Sequence, residues 1–93
     1  MSEAKSFVIM LRPAPKYGEP ATDEKVGEHF AYLQSLQKEG TLIMAGRFSD
    51  VLVGLVIIQT ETREKAETIM KNDPAVSAQI FHAELYEWRI ALR

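Results

Sequence analysis

The 93-residue chain contains no cysteine. That absence removes disulfides, thiolate nucleophiles and cysteine-ligated zinc or iron–sulfur centres together, and it agrees with a reducing compartment. No apolar run approaches the roughly 18 residues a membrane-spanning helix requires. The first residues, Met1 to Lys5, are polar and carry no signal-peptide pattern, so a cytoplasmic protein with no membrane partner is expected. Charge of one sign is lacking as well. Eleven Lys and Arg stand against thirteen Asp and Glu, for a formal charge of −2, and no basic stripe or acidic block gathers them. Electrostatic capture of nucleic acid is therefore not expected. The GxGxxG and GKS signatures of nucleotide sites are missing, as are the HxH, HxxxH and HExxH spacings of metal sites. Although His29, His82, Asp73 and Glu84 are metal-ligating types, neither a cofactor nor a metal is expected.

What the chain does have is an ordinary globular composition, 46% hydrophobic, well away from disorder. Its length predicts one domain over residues 1–93, with a thin core that buries only about 60–65% of the unfolded surface.

Ser6 to Leu11 (SFVIML) reads as a short strand that Arg12-Pro13 ends. Three prolines and a glycine between Pro13 and Ala21 predict a loop, longer than most connections in a compact domain. A helix follows, with Thr22 as its N-cap, Asp23 and Glu24 in its first turn and Gly40 as its stop. Val26, Phe30, Leu33 and Leu36 draw one apolar stripe along it. Thr41 to Ala45 predicts a second strand, closed by Gly46-Arg47. After a turn at Ser49-Asp50, Val51 to Thr60 is the most apolar segment. Thr62 caps a second helix over Arg63 to Asn72, with Ala66, Ile69 and Met70 on its inner side; Asp73-Pro74 breaks it, and an extra turn runs from Pro74 to Ser77. Gln79 to Leu92 predicts the last strand.

Two strand–helix–strand units in this length predict an α+β fold of ferredoxin-like βαββαβ type, a four-stranded antiparallel sheet with both helices on one face. The third strand says what covers the other face. Val51, Val53, Leu55 and Ile57 lie on one parity, Leu52, Val56 and Ile58 on the other, whereas a strand with one solvated face alternates with polar residues. A second copy of the chain is the simplest cover, so a homodimer is expected; the alternative is a monomer that tolerates an exposed patch. In the last strand Phe81, Ala83 and Leu85 are assigned to the helices. Ile80, His82, Glu84, Tyr86 and Trp88 then face the space between sheets, either lining a ligand cavity or packing the dimer interface.

Topology gathers the residues that carry chemistry. The two helices of this fold run antiparallel, so Asp73, just past the second, falls at the same end as His29 near the start of the first. Arg12, Gly46, Arg47, Ser49 and Asp50 end at the same rim. An imidazole paired with a carboxylate is a workable general base, and an arginine holds a carboxylate or enolate oxygen. Each residue also has a structural role open to it. His29 can be a packing histidine, Asp73 the N-cap before a proline at the first helical position, and Arg47 a surface charge; the two roles of Asp73 can coexist through different oxygens. Ser49 has no activating partner beyond this rim, which speaks against a hydrolase triad.

The run His29-Phe30-Ala31-Tyr32-Leu33-Gln34-Ser35-Leu36, then Gly40-Thr41-Leu42, Ala45-Gly46 and later Lys71-Asn72-Asp73-Pro74 resembles the YciI-like (YCII-related) proteins over roughly Phe7 to Trp88. The resemblance implies a ferredoxin-like fold that dimerises into an α+β barrel, similar in architecture to muconolactone isomerases. It also implies a suspected active site on a His–Asp pair, carried here by His29 and Asp73, with lyase-like or isomerase-like chemistry on small ring compounds. Where many relatives have proline after "A-G", this chain has Arg47. The resulting expectation is a dimeric enzyme acting on a small anionic or phenolic molecule. His29 is the base, Asp73 its orienter and Arg47 or Arg12 the oxyanion partner, with Ser49, His82, Tyr86 and Trp88 at the ligand. The alternative is a non-catalytic homodimeric module that binds a metabolite or a partner.

Overall fold

Alternation builds the central strand: in β1 (Lys5–Pro13) Phe7, Ile9 and Leu11 are buried, while Val8 and Met10 on the other parity are only half-buried. The computed structural model describes residues 4–93. After β1 come α1 (Thr22–Lys38), β2 (Leu42–Arg47), β3 (Gly54–Thr60), α2 (Arg63–Lys71), a single turn α3 (Pro74–Ser77) and β4 (Phe81–Glu87). The sheet order is β2-β3-β1-β4 and every pairing is antiparallel. This is the ferredoxin-like α+β arrangement that the sequence predicts.

One sheet face carries the core. Phe7, Ile9, Leu11, Val56, Ile58 and Leu85 meet Leu33 and Leu36 of α1 and Ala66 of α2. Phe7 and Ile58 have no exposed surface, and each such side chain contributes about 1.5–3 kcal/mol of burial energy. The opposite face presents Val8 and Met10 of β1 with Leu55 and Ile57 of β3, which sit directly across from one another. Nothing among the described residues covers this face completely, and Met44 at its edge is 59% exposed. No helix among the described residues is long and apolar enough to cross a membrane.

Four local readings change in three dimensions. Thr22 is not the N-cap of α1; Ala21 holds that position without a side-chain bond, and the Thr22 hydroxyl instead accepts the Gly18 amide at 2.9 Å. Gly18 lies at φ +95°, where a side chain is strained, and that turn draws the hydroxyl back into the loop. Phe30 leaves the buried stripe and is 62% exposed. His29 takes the inner position, so the inward row is Val26, His29, Leu33 and Leu36, spaced three, four and three. The third strand starts at Gly54, not Val51. Phe48 donates to the Val53 carbonyl and Val53 to that of Val51, tightening the hairpin and leaving Val51 and Leu52 exposed. The last strand is likewise shorter than Gln79 to Leu92. It begins only after α3 ends in a Schellman turn, in which Ile80 N–H bonds the Ala75 carbonyl and Gln79 N–H that of Val76.

Candidate active site

Pro74 cannot continue a helix and holds Asp73 in extended conformation, φ −63° and ψ 124°. From there the Asp73 carboxylate serves two elements. Its Oδ1 accepts the Ala75 amide at 2.9 Å and so caps α3, while Oδ2 lies 2.5 Å from Nδ1 of His29 on α1. Both side chains are largely removed from water, with 13% of the His29 side chain and 7% of that of Asp73 exposed. The carboxylate accepts at Nδ1, which puts the neutral ring's proton there and leaves Nε2 with a free lone pair. No hydrogen bond among the described residues reaches Nε2, and none of their buried side-chain nitrogens lacks a partner. Nε2 is therefore not sealed off from solvent.

Tyr32, one turn beyond His29, donates its hydroxyl to the Ile69 carbonyl at 2.8 Å. Burial first, and then the negative charges of Asp73 and Glu39, raise its phenol above the ordinary value. The phenol is therefore a neutral donor beside the pair.

A cavity of about 240 Å³ opens at the same end of the domain. Val26, one turn before His29, forms part of its wall, and so does Phe81, whose ring stands edge-on to the imidazole with centroids 5.3 Å apart. Leu11, Leu52 and Val53 complete the apolar walls, and Tyr17 and Arg47 close the rim. Arg47 pairs with Gly54 across the sheet edge, and no ion pair or hydrogen bond to another described side chain occupies its guanidinium.

The remaining predicted site residues are dispersed. Arg12 borders the cavity, but its guanidinium is engaged by Glu84 at 3.2 Å and by Sδ of Met10 at 3.0 Å. His82 is exposed and sits opposite Arg12 across the β1–β4 ladder. Tyr86, opposite Val8, is half exposed and donates its hydroxyl to Glu84 at 2.8 Å. Glu84 is held below the usual carboxylate range by that hydrogen bond and then by Arg12. Trp88 follows β4 and donates its amide to Ser6, at the far end of β1 from Arg12, about 20 Å away at 3.3 Å per residue. Ser49 is exposed in the β2–β3 turn and does not line the cavity. Among the described residues no three His, Asp or Glu side chains gather in a metal-ligating cluster. Tyr17, Phe81 and Tyr32 escaped the sequence reading. Their signals were present: a lone aromatic in the Pro/Gly loop, an aromatic opening the last strand, and a tyrosine three residues after His29.

The model of the YCII-related domain matches residues 6–89. The chain belongs to the YCII-related family. A relative, the uncharacterized protein YjpA of Bacillus subtilis (strain 168), is 33% identical over 72 residues, which cover 77% of this chain and 85% of YjpA. Among solved structures, 5-chloro-2-hydroxyhydroquinone dehydrochlorinase (TftG) of Burkholderia phenoliruptrix AC1100, in complex with 2,5-dihydroxybenzoquinone, has the same fold. Its TM-score is 0.60 at 15% identity, with 89% of this chain and 93% of that one aligned. At that identity the likeness extends to the fold alone.

Proposed function

We propose that this YCII-related protein is a homodimeric enzyme that acts on a small anionic or phenolic molecule by proton transfer, with lyase-like or isomerase-like chemistry. The observation that carries this reading is the His29–Asp73 contact, with Phe81, a wall of the apolar cavity, edge-on to the imidazole, although neither member of the pair lines the cavity itself. His29 takes a proton from substrate carbon at Nε2, and Asp73 holds the tautomer and stabilises the imidazolium that forms. Arg47 then meets the oxygen on which negative charge develops. A carbanion formed this way is reprotonated at another carbon in an isomerase, or expels a β-leaving group as its anion in a lyase. The fold shared with a dehydrochlorinase complexed with a hydroxylated quinone supports a ring compound as substrate. The half-buried Val8, Met10, Leu55 and Ile57 support a second copy across the open sheet face. The absence of cysteine fits a cytoplasmic setting.

The test is exchange of substrate C–H for deuterium, followed by NMR across a panel of hydroxylated ring acids and enolisable cyclic ketones. Wild type is expected to exchange at least one of them, and His29→Gln to lose about 10²- to 10⁴-fold in rate. Exchange unchanged in His29→Gln would sink the reading. The other reading, a non-catalytic binding module, is favoured by one observation: Asp73 already has structural work in capping α3. Ligand binding with no exchange on any compound would select it.

A further inference from the structure

Two aromatic rings meet at the rim of the cavity, and proton transfer assigns neither a task. Tyr17 and Phe81 stack with centroids 6.3 Å apart and planes inclined by 30°. Phe81 also stands edge-on to His29, so one ring borders both the cavity and the imidazole. Tyr17 is 40% exposed and is no part of the buried core. It is held nonetheless, because backbone bonds stitch its loop to the segment after α3. Ala14 N–H bonds the Ile80 carbonyl at 2.9 Å, Lys16 N–H that of Gln79 at 3.1 Å, and Tyr17 N–H turns back to the Ala14 carbonyl at 3.0 Å. The ring is thus positioned by its backbone before anything binds, which reduces the ordering cost a ligand must offset.

The aliphatic Leu11, Val26 and Leu52 line the same cavity, and Arg47 is the one cationic residue lining it that no described carboxylate pairs. Two aromatic rings, aliphatic walls and one unpaired charge around about 240 Å³ suit a flat ligand of one ring rather than a nucleotide-sized one. Aromatic pairs in offset or edge-on geometry contribute about 0.5–1.5 kcal/mol beyond their area, roughly 2- to 12-fold in affinity, and a saturated ring has no π face with which to obtain it.

We infer that Tyr17 and Phe81 are specificity-determining residues that select a planar conjugated ring bearing one anionic oxygen group over a saturated ring of the same size and charge. The inference rests on the cavity being the substrate site of the proposed enzyme.

The test is binding of benzoate and cyclohexanecarboxylate, measured by NMR shift titration of the full chain. Benzoate should bind wild type about 3- to 10-fold more tightly. Tyr17→Leu should bring that ratio close to one, and Tyr17→Phe should keep it. Arg47→Gln should weaken both acids alike. Phe81→Leu is a second variant, checked for folding by circular dichroism, and should lower the ratio in the same direction. Equal binding of the two acids, or a ratio unchanged in Tyr17→Leu, overturns the aromatic selection while leaving the deuterium-exchange result of His29→Gln untouched. Failure of both acids to bind also overturns it. The proton-transfer reading falls only by the exchange experiment, through absent exchange or exchange unchanged in His29→Gln.

Discussion

The hydroxyl of Tyr32 donates to the carbonyl of Ile69 at 2.8 Å, joining α1 to the last turn of α2. In a continuing helix the Asp73 amide would occupy that carbonyl, but it reaches Met70 instead, at a long 3.4 Å. Tyr32 therefore satisfies a carbonyl that the break at Asp73-Pro74 leaves open. It does so from the helix that carries His29.

Tyr32→Phe should accordingly destabilise the protein by about 0.5–1.5 kcal/mol, the net worth of one hydrogen bond. Urea denaturation measures it. Because the bond fixes the end of α2 relative to α1, the His29 ring signals should also broaden or shift. Unchanged stability together with unchanged signals would show that Tyr32 anchors nothing.

The two oxygens of Asp73 make separable predictions. Asp73→Asn keeps an acceptor for the Ala75 amide but can turn an NH₂ toward Nδ1, which moves the neutral ring's proton to Nε2, the wrong tautomer for a base there. Nitrogen-15 NMR should find Nδ1–H in wild type and Nε2–H in Asp73→Asn, with little loss of stability. Asp73→Ala loses the cap as well and should cost about 0.5–2 kcal/mol. An Nδ1–H signal that persists in Asp73→Asn would mean the carboxylate does not set the tautomer.

Gln79 is the one non-glycine residue among those described with positive φ, at 63°. It occupies the position of the α3 Schellman turn where glycine is favoured, and its carbonyl accepts the Lys16 amide of the Tyr17 loop. Gln79→Gly should be neutral or stabilising by up to about 1 kcal/mol, and Gln79→Val destabilising by about 1–2 kcal/mol. Thermal melts of the two variants test the pair, and equal midpoints would contradict the strain.

Glu84 is lowered in the folded state by the Tyr86 hydroxyl first and Arg12 second. A lowered carboxyl contributes stability above its ordinary range, and the contribution is lost as pH falls through the folded value. Glu84→Gln should therefore be less stable than wild type near pH 7, with the gap closing as falling pH protonates the lowered carboxyl. Salt should shrink the Arg12 part and spare the bond from Tyr86. A gap that does not change with pH would assign the effect to packing.

The proposed dimer predicts twice the mass of a single chain by light scattering at micromolar concentration. Ile57→Lys, which buries a charge if the open sheet face is covered, should give a monomer that remains folded. A wild-type monomer under these conditions refutes the second copy.

The fold was legible because its signals are local. Period-2 apolar runs, the Thr62 cap, Gly40 at φ +83° and the Asp73-Pro74 break each act over a few residues, and together they leave one common topology. That topology was enough to place His29 and Asp73 at one end. It also set Arg12 and Arg47 at the end where both line the cavity, but it could not place the rest of the site. Ser49, His82, Tyr86 and Trp88 share parity or proximity in the chain, but parity does not say how far along a strand a side chain stands from a cavity. Trp88 shares a strand parity with His82 and ends up at the other end of β1. Val51 and Leu52 read as strand because they are apolar. Backbone bonds at Phe48 and Val53 turned them into the hairpin, where Leu52 became a cavity wall. By itself the sequence determined the order of the elements, set by short-range sterics and hydrophobic period, and through their topology the placing of one histidine and one aspartate at the same end. Only the tertiary structure decided that Tyr17, Phe81 and Arg47 share a cavity beside them. Those residues come from a loop, a strand start and a strand end that are distant in sequence, and their meeting depends on side-chain packing that no local pattern encodes.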